Sequence, residues 1–223
     1  MSKRFEIKVP IPLNRLNMVE NWLMLHPNQF KTHHPDRHVN SLYLDSPNFR
    51  RFEENLSGIT QRRKTRIRWY GDLANPKESR LEFKYRRGGK GSKSLHPLNI
   101  NWLDHNSWQS LLNTCRQQLP LAAQVCWECE SVPVLISRYR RRYFISANGY
   151  IRATFDDDMQ CFDQRYSDKI NIYKGKSLGD YVLLELKTDA VHENALSSLV
   201  ATCPLRPSRH SKYVNGIRQL MWY

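Results

Sequence analysis

Five stretches of the chain alternate apolar and charged residues with period two. In FEIKV, Phe5, Ile7 and Val9 share one face while Glu6 and Lys8 share the other. TRIRWY sets Arg66 and Arg68, with Lys64 just upstream on the same face, against Ile67 and Trp69. RLEFKYR sets Glu82, Lys84 and Arg86 against Leu81, Phe83 and Tyr85. IRATFDD places Arg152 and Asp156 opposite Ile151, Ala153 and Phe155, and VLLELKT places Glu185 and Lys187 opposite Val182, Leu184 and Leu186. Successive side chains of a β-strand point to opposite faces, so each stretch predicts a strand. Helical spacing is rarer. Residues 13–25 carry Leu16, Val19 and Leu23 on one stripe, and 107–118 carry Trp108, Leu111, Leu112 and Cys115. SPNFRRFEENLSG predicts a helix with Ser46 as N-cap, Pro47 at its first position and Gly58 as its stop. Further helices are predicted near 190–201 and from Ser208 to Tyr223. Turn-rich segments at 71–79, 86–97 and 146–149 predict loops, and the remainder reads as strand. The class is α+β with many antiparallel strands. Without a repeat or linker, one domain over 1–223 is expected.

The charged faces admit two readings. One is a half-exposed sheet with its charges in water. The other is a ring whose apolar faces are covered by helices and whose charged faces line an interior. Arg, Lys and Glu dominate the polar positions, where a solvated face usually mixes in Thr, Ser, Gln and Asn. Cations facing one another across an interior repel, so the second reading requires a polyanion inside, with the glutamates holding a divalent cation.

The charge balance bears on this choice. Lys and Arg number 35 against 21 Asp and Glu in 223 residues, a formal charge of +14. That excess points to an anionic partner: nucleic acid, anionic lipid or a phosphorylated small molecule. No apolar run is long enough to cross a bilayer, and the first residues lack the continuous apolar stretch of a signal peptide. Five scattered cysteines argue against a disulfide scaffold, and a cytoplasmic location is expected.

The ordered series Arg4-x-Glu6-x-Lys8, SLYLDSP (41–47), TRIRWYG (65–71), LEFKYR (81–86), PVLISRYRRRYF (133–144), RATFDDD (152–158), LLELKT (183–188) and SKYVNGI (211–217) resembles the catalytic domain of the vacuolar transporter chaperone (VTC) polyphosphate polymerases. These belong to the triphosphate tunnel metalloenzyme superfamily. The resemblance runs from the first strand to the last helix. It implies an eight-stranded antiparallel β-barrel, the triphosphate tunnel fold, with helices packed on the outside. It also implies transfer of the γ-phosphate of ATP onto inorganic polyphosphate, with Mn²⁺ or Mg²⁺ as cofactor. By motif position Lys8, Arg66, Arg68, Lys84, Arg141, Arg152 and Lys212 match the family's phosphate-binding basic residues, all but Lys8 being expected to be catalytic. Lys64 and Lys187, on the same charged strand faces, are expected to bind phosphate. Lys93, Lys90 and His96 compete for one further phosphate-binding position. Glu185 matches the metal-binding glutamate, with Glu6 or Glu82 as its companion. In RYRRRYF, strand alternation puts Arg141 on the face opposite Arg138, Arg140 and Arg142, and the resemblance favours Arg141.

Related triphosphatases and cyclases begin E-x-E-x-K, where this chain has Arg4 at the first position. That replaces a metal carboxylate with a cation and favours synthesis over hydrolysis. A triphosphatase or nucleotide cyclase in the same fold is the first rival, and a non-catalytic binder of polyphosphate or RNA the second. Cys126-x-x-Cys129 lacks the second pair that zinc would need, and His26, His33, His34 and His38 read as a polar loop.

Overall fold

The five alternating stretches are all strands, in a sheet of nine antiparallel strands among the described residues. The computed structural model describes residues 4–221 apart from Lys77 and Gly89. In chain order the elements are β1 (Arg4–Pro12), α1 (Leu16–Met24), β2 (Lys31–Asp45), α2 (Arg50–Leu56), β3 (Gln61–Tyr70), β4 (Ser79–Arg87), β5 (Lys90–Leu98), α3 (Trp108–Gln117) and α4 (Leu121–Glu128). There follow β6 (Val132–Ile145), β7 (Ile151–Asp163), β8 (Gly175–Ser177), β9 (Tyr181–Asp189), α5 (Glu193–Ala201) and α6 (Lys212–Met221). The sheet order is β6-β2-β3-β4-β5-β1-β9-β7-β8, and a further β6–β7 pairing closes it. Eight strands thus form a ring, with the three-residue β8 beside β9 on the free length of β7.

Closure gives each strand two different surroundings. On the outer face, Leu42, Ile67, Trp69, Leu81 and Phe83 pack against α3 and α4. Val9, Ile11, Phe155, Leu184 and Leu186 pack against α1 and α5. Each helix covers strand residues that would otherwise meet water, and burial of one such side chain is worth about 1.5–3 kcal/mol. The sixth helix behaves differently, in a way periodicity does not reveal. Tyr213, Val214, Ile217 and Leu220 of α6 join Tyr43, Leu135, Tyr139 and Leu183, which share their strand faces with the inward cations and acids. α6 therefore fills part of the ring interior. Its Gly216 permits close approach, since a Cβ there would stand 3.0 Å from a Leu135 methyl.

Several local expectations are corrected. Residues 86–97 are not a loop: β4 and β5 pair as far as Arg87 and Lys90, with Gly88 at φ 55° in the turn. The tight hairpin confines the turn to a fraction of the Gly- and Ser-rich stretch. His33, His34 and His38 lie within β2, paired to β6 across register shifts that absorb Pro35. α4 occupies a stretch that had read as strand. α2 starts at Arg50 and not at Pro47, because Phe49 takes a left-handed φ of 55°. Its cap is chiefly Asp45, whose carboxylate accepts from the amides of Arg51 and Phe52, each at 2.9 Å. Ser46 Oγ accepts from the Arg50 amide at 3.1 Å.

Asp45 is fully buried and also accepts a hydrogen bond from the Tyr213 hydroxyl, tying α2 to α6. Asp45→Ala should lower stability by about 3 kcal/mol, from the lost cap and the stranded hydroxyl. Urea denaturation measures it, and a midpoint unchanged from the parent would show that the carboxylate does not hold the two helices.

Candidate functional site

β3 supplies the most basic wall of the ring. Its inward positions are Arg62, Lys64, Arg66 and Arg68, two residues apart, and register aligns Lys64 with Lys84, Arg66 with Glu82 and Arg68 with Arg80 on β4. The facing wall comes from β1, β9, β7 and β6. There Glu6 pairs across from Lys187, Lys8 from Glu185, and Asp156 from Arg141. Lys212, at the first turn of α6, enters from the end that the helix fills. A cavity of about 70 Å³ remains between these walls, and Tyr43, Tyr139 and Ser211 complete its lining.

Charge within the cavity is unevenly compensated. Glu185 is the most contested acid. Arg141 Nη2 donates to it at 3.1 Å and Lys187 Nζ at 2.5 Å, while Lys212 and Lys8 stand 3.4 and 3.5 Å away. Burial raises its pKa, but these cations outweigh burial and hold its carboxyl well below the usual range. Asp156, fully buried, accepts two bonds from Arg141 at 2.5 and 2.7 Å and one from Lys212. Glu82 is gripped by the Arg66 fork at 2.6 and 2.8 Å and by Arg80 at 3.1 Å. Glu6 accepts from Lys84 at 3.0 Å and pairs with Lys8 at 3.1 Å.

Lys64 is the exception. Its Nζ donates to Ser211 Oγ at 2.8 Å, and among the described residues no carboxylate lies within ion-pair distance. Burial, then Lys8, Lys84, Arg62 and Arg66, hold its ammonium well below the ordinary lysine range. Arg68 likewise has only hydroxyls for partners among the described residues, Ser41 at 3.3 Å and Tyr139 at 3.3 Å.

Of the residues singled out in the sequence, the cavity brings together Lys8, Lys64, Arg66, Arg68 and Lys84 with Arg141, Lys187, Lys212, Glu6 and Glu185. Glu82 stands behind Arg66 as its partner. Lys93 pairs across from Lys84 but does not line the cavity, and Arg152, across from Lys187, lies nearer the rim. The side chain of Lys90 lies outside the described residues. Sequence reasoning passed over Tyr43, Tyr139 and Ser211. Period-two alternation places Tyr43 and Tyr139 inward, but a tyrosine in a strand reads as core. Ser211 is reached only through the loop that leads into α6.

Among the described residues no three His, Cys, Asp or Glu converge as a metal cluster. Glu6 and Glu185 both line the cavity and both reach Lys8 Nζ, at 3.1 and 3.5 Å. One or two carboxylates completed by phosphate oxygens and water is a donor set that suits magnesium. Glu82, held by Arg66 and Arg80, is not part of the cavity lining, unlike Glu6 and Glu185.

The family model of the VTC domain matches residues 3–221. A candidate adenylyl cyclase from Hippeastrum, described as having a dominant triphosphatase activity, shares the fold with a TM-score of 0.55 at 14% identity, over 97% of this chain and 95% of that one. A candidate adenylate cyclase from Vibrio parahaemolyticus does so with a TM-score of 0.50 at 12% identity, over 95% and 97%. At such identities the likeness is one of fold alone. No curated protein matches the sequence. No helix among the described residues is long and apolar enough to cross a membrane.

Two predictions follow from the charge accounting. Asp156→Ala leaves Arg141 and Lys212 buried without their main partner, and should cost about 3–5 kcal/mol in denaturant unfolding. Inorganic tripolyphosphate should recover part of that loss by supplying the missing negative charge. The second concerns protons. An anion beside Lys64 favours its charged form, so binding raises its depressed pKa and takes up a proton. Affinity for tripolyphosphate should be full below the free-state pKa of Lys64 and fall as pH rises through it. Calorimetry in buffers of different ionisation enthalpy should register the uptake, and Lys64→Met should reduce it, with Lys84, also held below the ordinary lysine range, supplying the remainder.

Proposed function

The chain belongs to the VTC domain family, and from that premise we propose that it is an ATP-dependent polyphosphate polymerase. The observation that carries this reading is Lys64. A half-buried lysine on the cavity wall, surrounded by cations and bonded only to a hydroxyl among the described residues, is costly unless an anion arrives. A row of phosphates supplies that anion. It also relieves the repulsion among Lys64, Lys84, Arg66 and Lys8.

Phosphoryl transfer asks little of protein nucleophiles. It requires attacking and leaving oxygens in line, with cations around the charge spread over the transferring group. In this proposal an ionised terminal oxygen of polyphosphate attacks the γ-phosphorus of ATP. The bond from that phosphorus to the β,γ-bridging oxygen breaks, ADP leaves with the electron pair, and the chain is one phosphate longer. No proton changes hands. Arg68 and Arg66 present planar forks that match phosphate oxygens in pairs, while Lys64, Lys84 and Lys8 act as point charges. Asp156 and Glu82 keep Arg141 and Arg66 aimed into the cavity before substrate enters. That removes a reorganisation step from the reaction.

Glu6 and Glu185 would hold a divalent cation, Mg²⁺ or Mn²⁺. Such an ion supplies neutralisation of phosphate oxygens at the leaving group. Lys8 stands between these carboxylates on the cavity wall, where it would add its point charge to the bound phosphates.

Incubation of the purified chain with ATP and Mn²⁺ should yield an acid-stable polymer on a polyphosphate-staining gel. Lys64→Ala and Arg68→Ala should each lower the rate by about 10²–10³, as for loss of one oriented charge in a desolvated site. Release of phosphate or pyrophosphate without polymer would replace synthesis with hydrolysis or cyclisation. Salt-sensitive, metal-independent binding without turnover would make the protein a polyanion binder.

A further inference from the structure

Just outside the cavity the wall changes character. Tyr70 lies two residues outward from Arg68 on β3, and Tyr143 two residues outward from Arg141 on β6, so strand alternation keeps both rings on the lumen side. Arg37 on β2 stands opposite Arg141 in the ladder. Its guanidinium lies over the Tyr70 ring at 4.1 Å and over the Tyr143 ring at 5.0 Å, and its Nε donates to the Tyr143 hydroxyl at 3.0 Å.

The row continues at both ends. Arg80 on β4 lies 5.4 Å from the Tyr70 ring centre and donates to its hydroxyl at 2.6 Å. On the other side the His34 ring meets Tyr143 edge-on at 5.7 Å, and His33 lies 4.1 Å from His34. Arg80, Tyr70, Arg37, Tyr143, His34 and His33 therefore form one unbroken series of rings and guanidinium planes across four strands. Tyr70, Tyr143 and Arg80 are half-buried, whereas Arg37, His33 and His34 are exposed.

Bracing alone would leave this series buried or paired with acids. Only its end at Arg80 is so braced, by Glu82 at 3.1 Å; its middle, Arg37, is exposed and makes no ion pair among the described residues, and the series lies next to the cationic cavity. Flat π-surfaces beside a cationic track are the combination that holds a nucleotide by base stacking and phosphate contact together. We propose that this rim is a nucleobase-stacking site, which holds the base of a nucleoside triphosphate while its phosphates enter the cavity. The inference rests on the phosphate-binding reading of the cavity and adds the end by which the nucleotide enters and the part of it that is recognised. Stacking is tolerant of base identity because every base has a π-face, so the rim accepts purines and pyrimidines, with the larger purine held more tightly.

Titration calorimetry of the full chain with ATP, UTP and inorganic tripolyphosphate tests this. Tyr70→Leu and Tyr143→Leu remove a ring without changing charge. Each should weaken ATP binding about tenfold, as expected for loss of one base–aromatic contact. UTP should lose less, and tripolyphosphate should stay within about twofold, which also certifies that the variants are folded. Tyr143→Phe keeps the ring and should bind ATP like the parent. Equal losses for ATP and tripolyphosphate, no loss for ATP, or a Phe variant as weak as the Leu variant would each overturn the base site and leave the cavity reading standing. Failure of the parent chain to bind all three ligands would remove the cavity reading and the base site together.

Discussion

Repulsion among cations held inside a closed ring is the constraint on which the rest of the structure depends. Lys8, Arg141, Lys187 and Lys212 all crowd Glu185, and two of them also use Asp156. Neither acid is there to gain stability from a salt bridge, since removing charges from water costs about as much as the pairing returns. Their effect is to hold cations in fixed positions on one wall while the opposite wall, at Lys64 and Arg68, stays without a carboxylate in contact. The cavity is thereby polarised before any ligand arrives.

The fold makes such an arrangement tolerable by separating two chemistries that share each strand. Outer faces are sealed by α1, α3, α4 and α5, so the apolar positions form ordinary core. Inner faces are divided in turn: α6 fills one part with Tyr213, Ile217 and Leu220, and the remainder stays charged. Lys212 sits at this boundary, with its backbone starting the helix and its ammonium reaching Asp156 and Glu185. Packing of α6 therefore fixes a cavity cation, and the Asp45–Tyr213 bond carries that registration to α2.

Alternation in the sequence placed Glu6, Lys8, Arg66, Arg68, Lys84, Glu185 and Lys187 on charged strand faces, because period two is a local property of extended backbone. Helices α1, α3 and α5 were legible for the same kind of reason, through apolar positions at helical spacing. Elements set by pairing were not legible. β5 looked like a loop because its Gly and Ser residues become strand only once β4 offers partners. The first half of β2 looked like a polar loop for the same reason, since its ladder to β6 tolerates histidines and Pro35 through register shifts.

The sequence by itself determined which residues share a face, the excess of positive charge and the family to which the chain belongs. It left open whether the charged faces look outward or inward, since an open sheet and a ring have identical alternation. Only tertiary structure decided that, through the β6–β7 pairing that closes the ring. It also decided which cations receive a carboxylate. That depends on cross-strand register and on the entry of α6, relations between residues as far apart as Asp156 and Lys212 that no local pattern encodes.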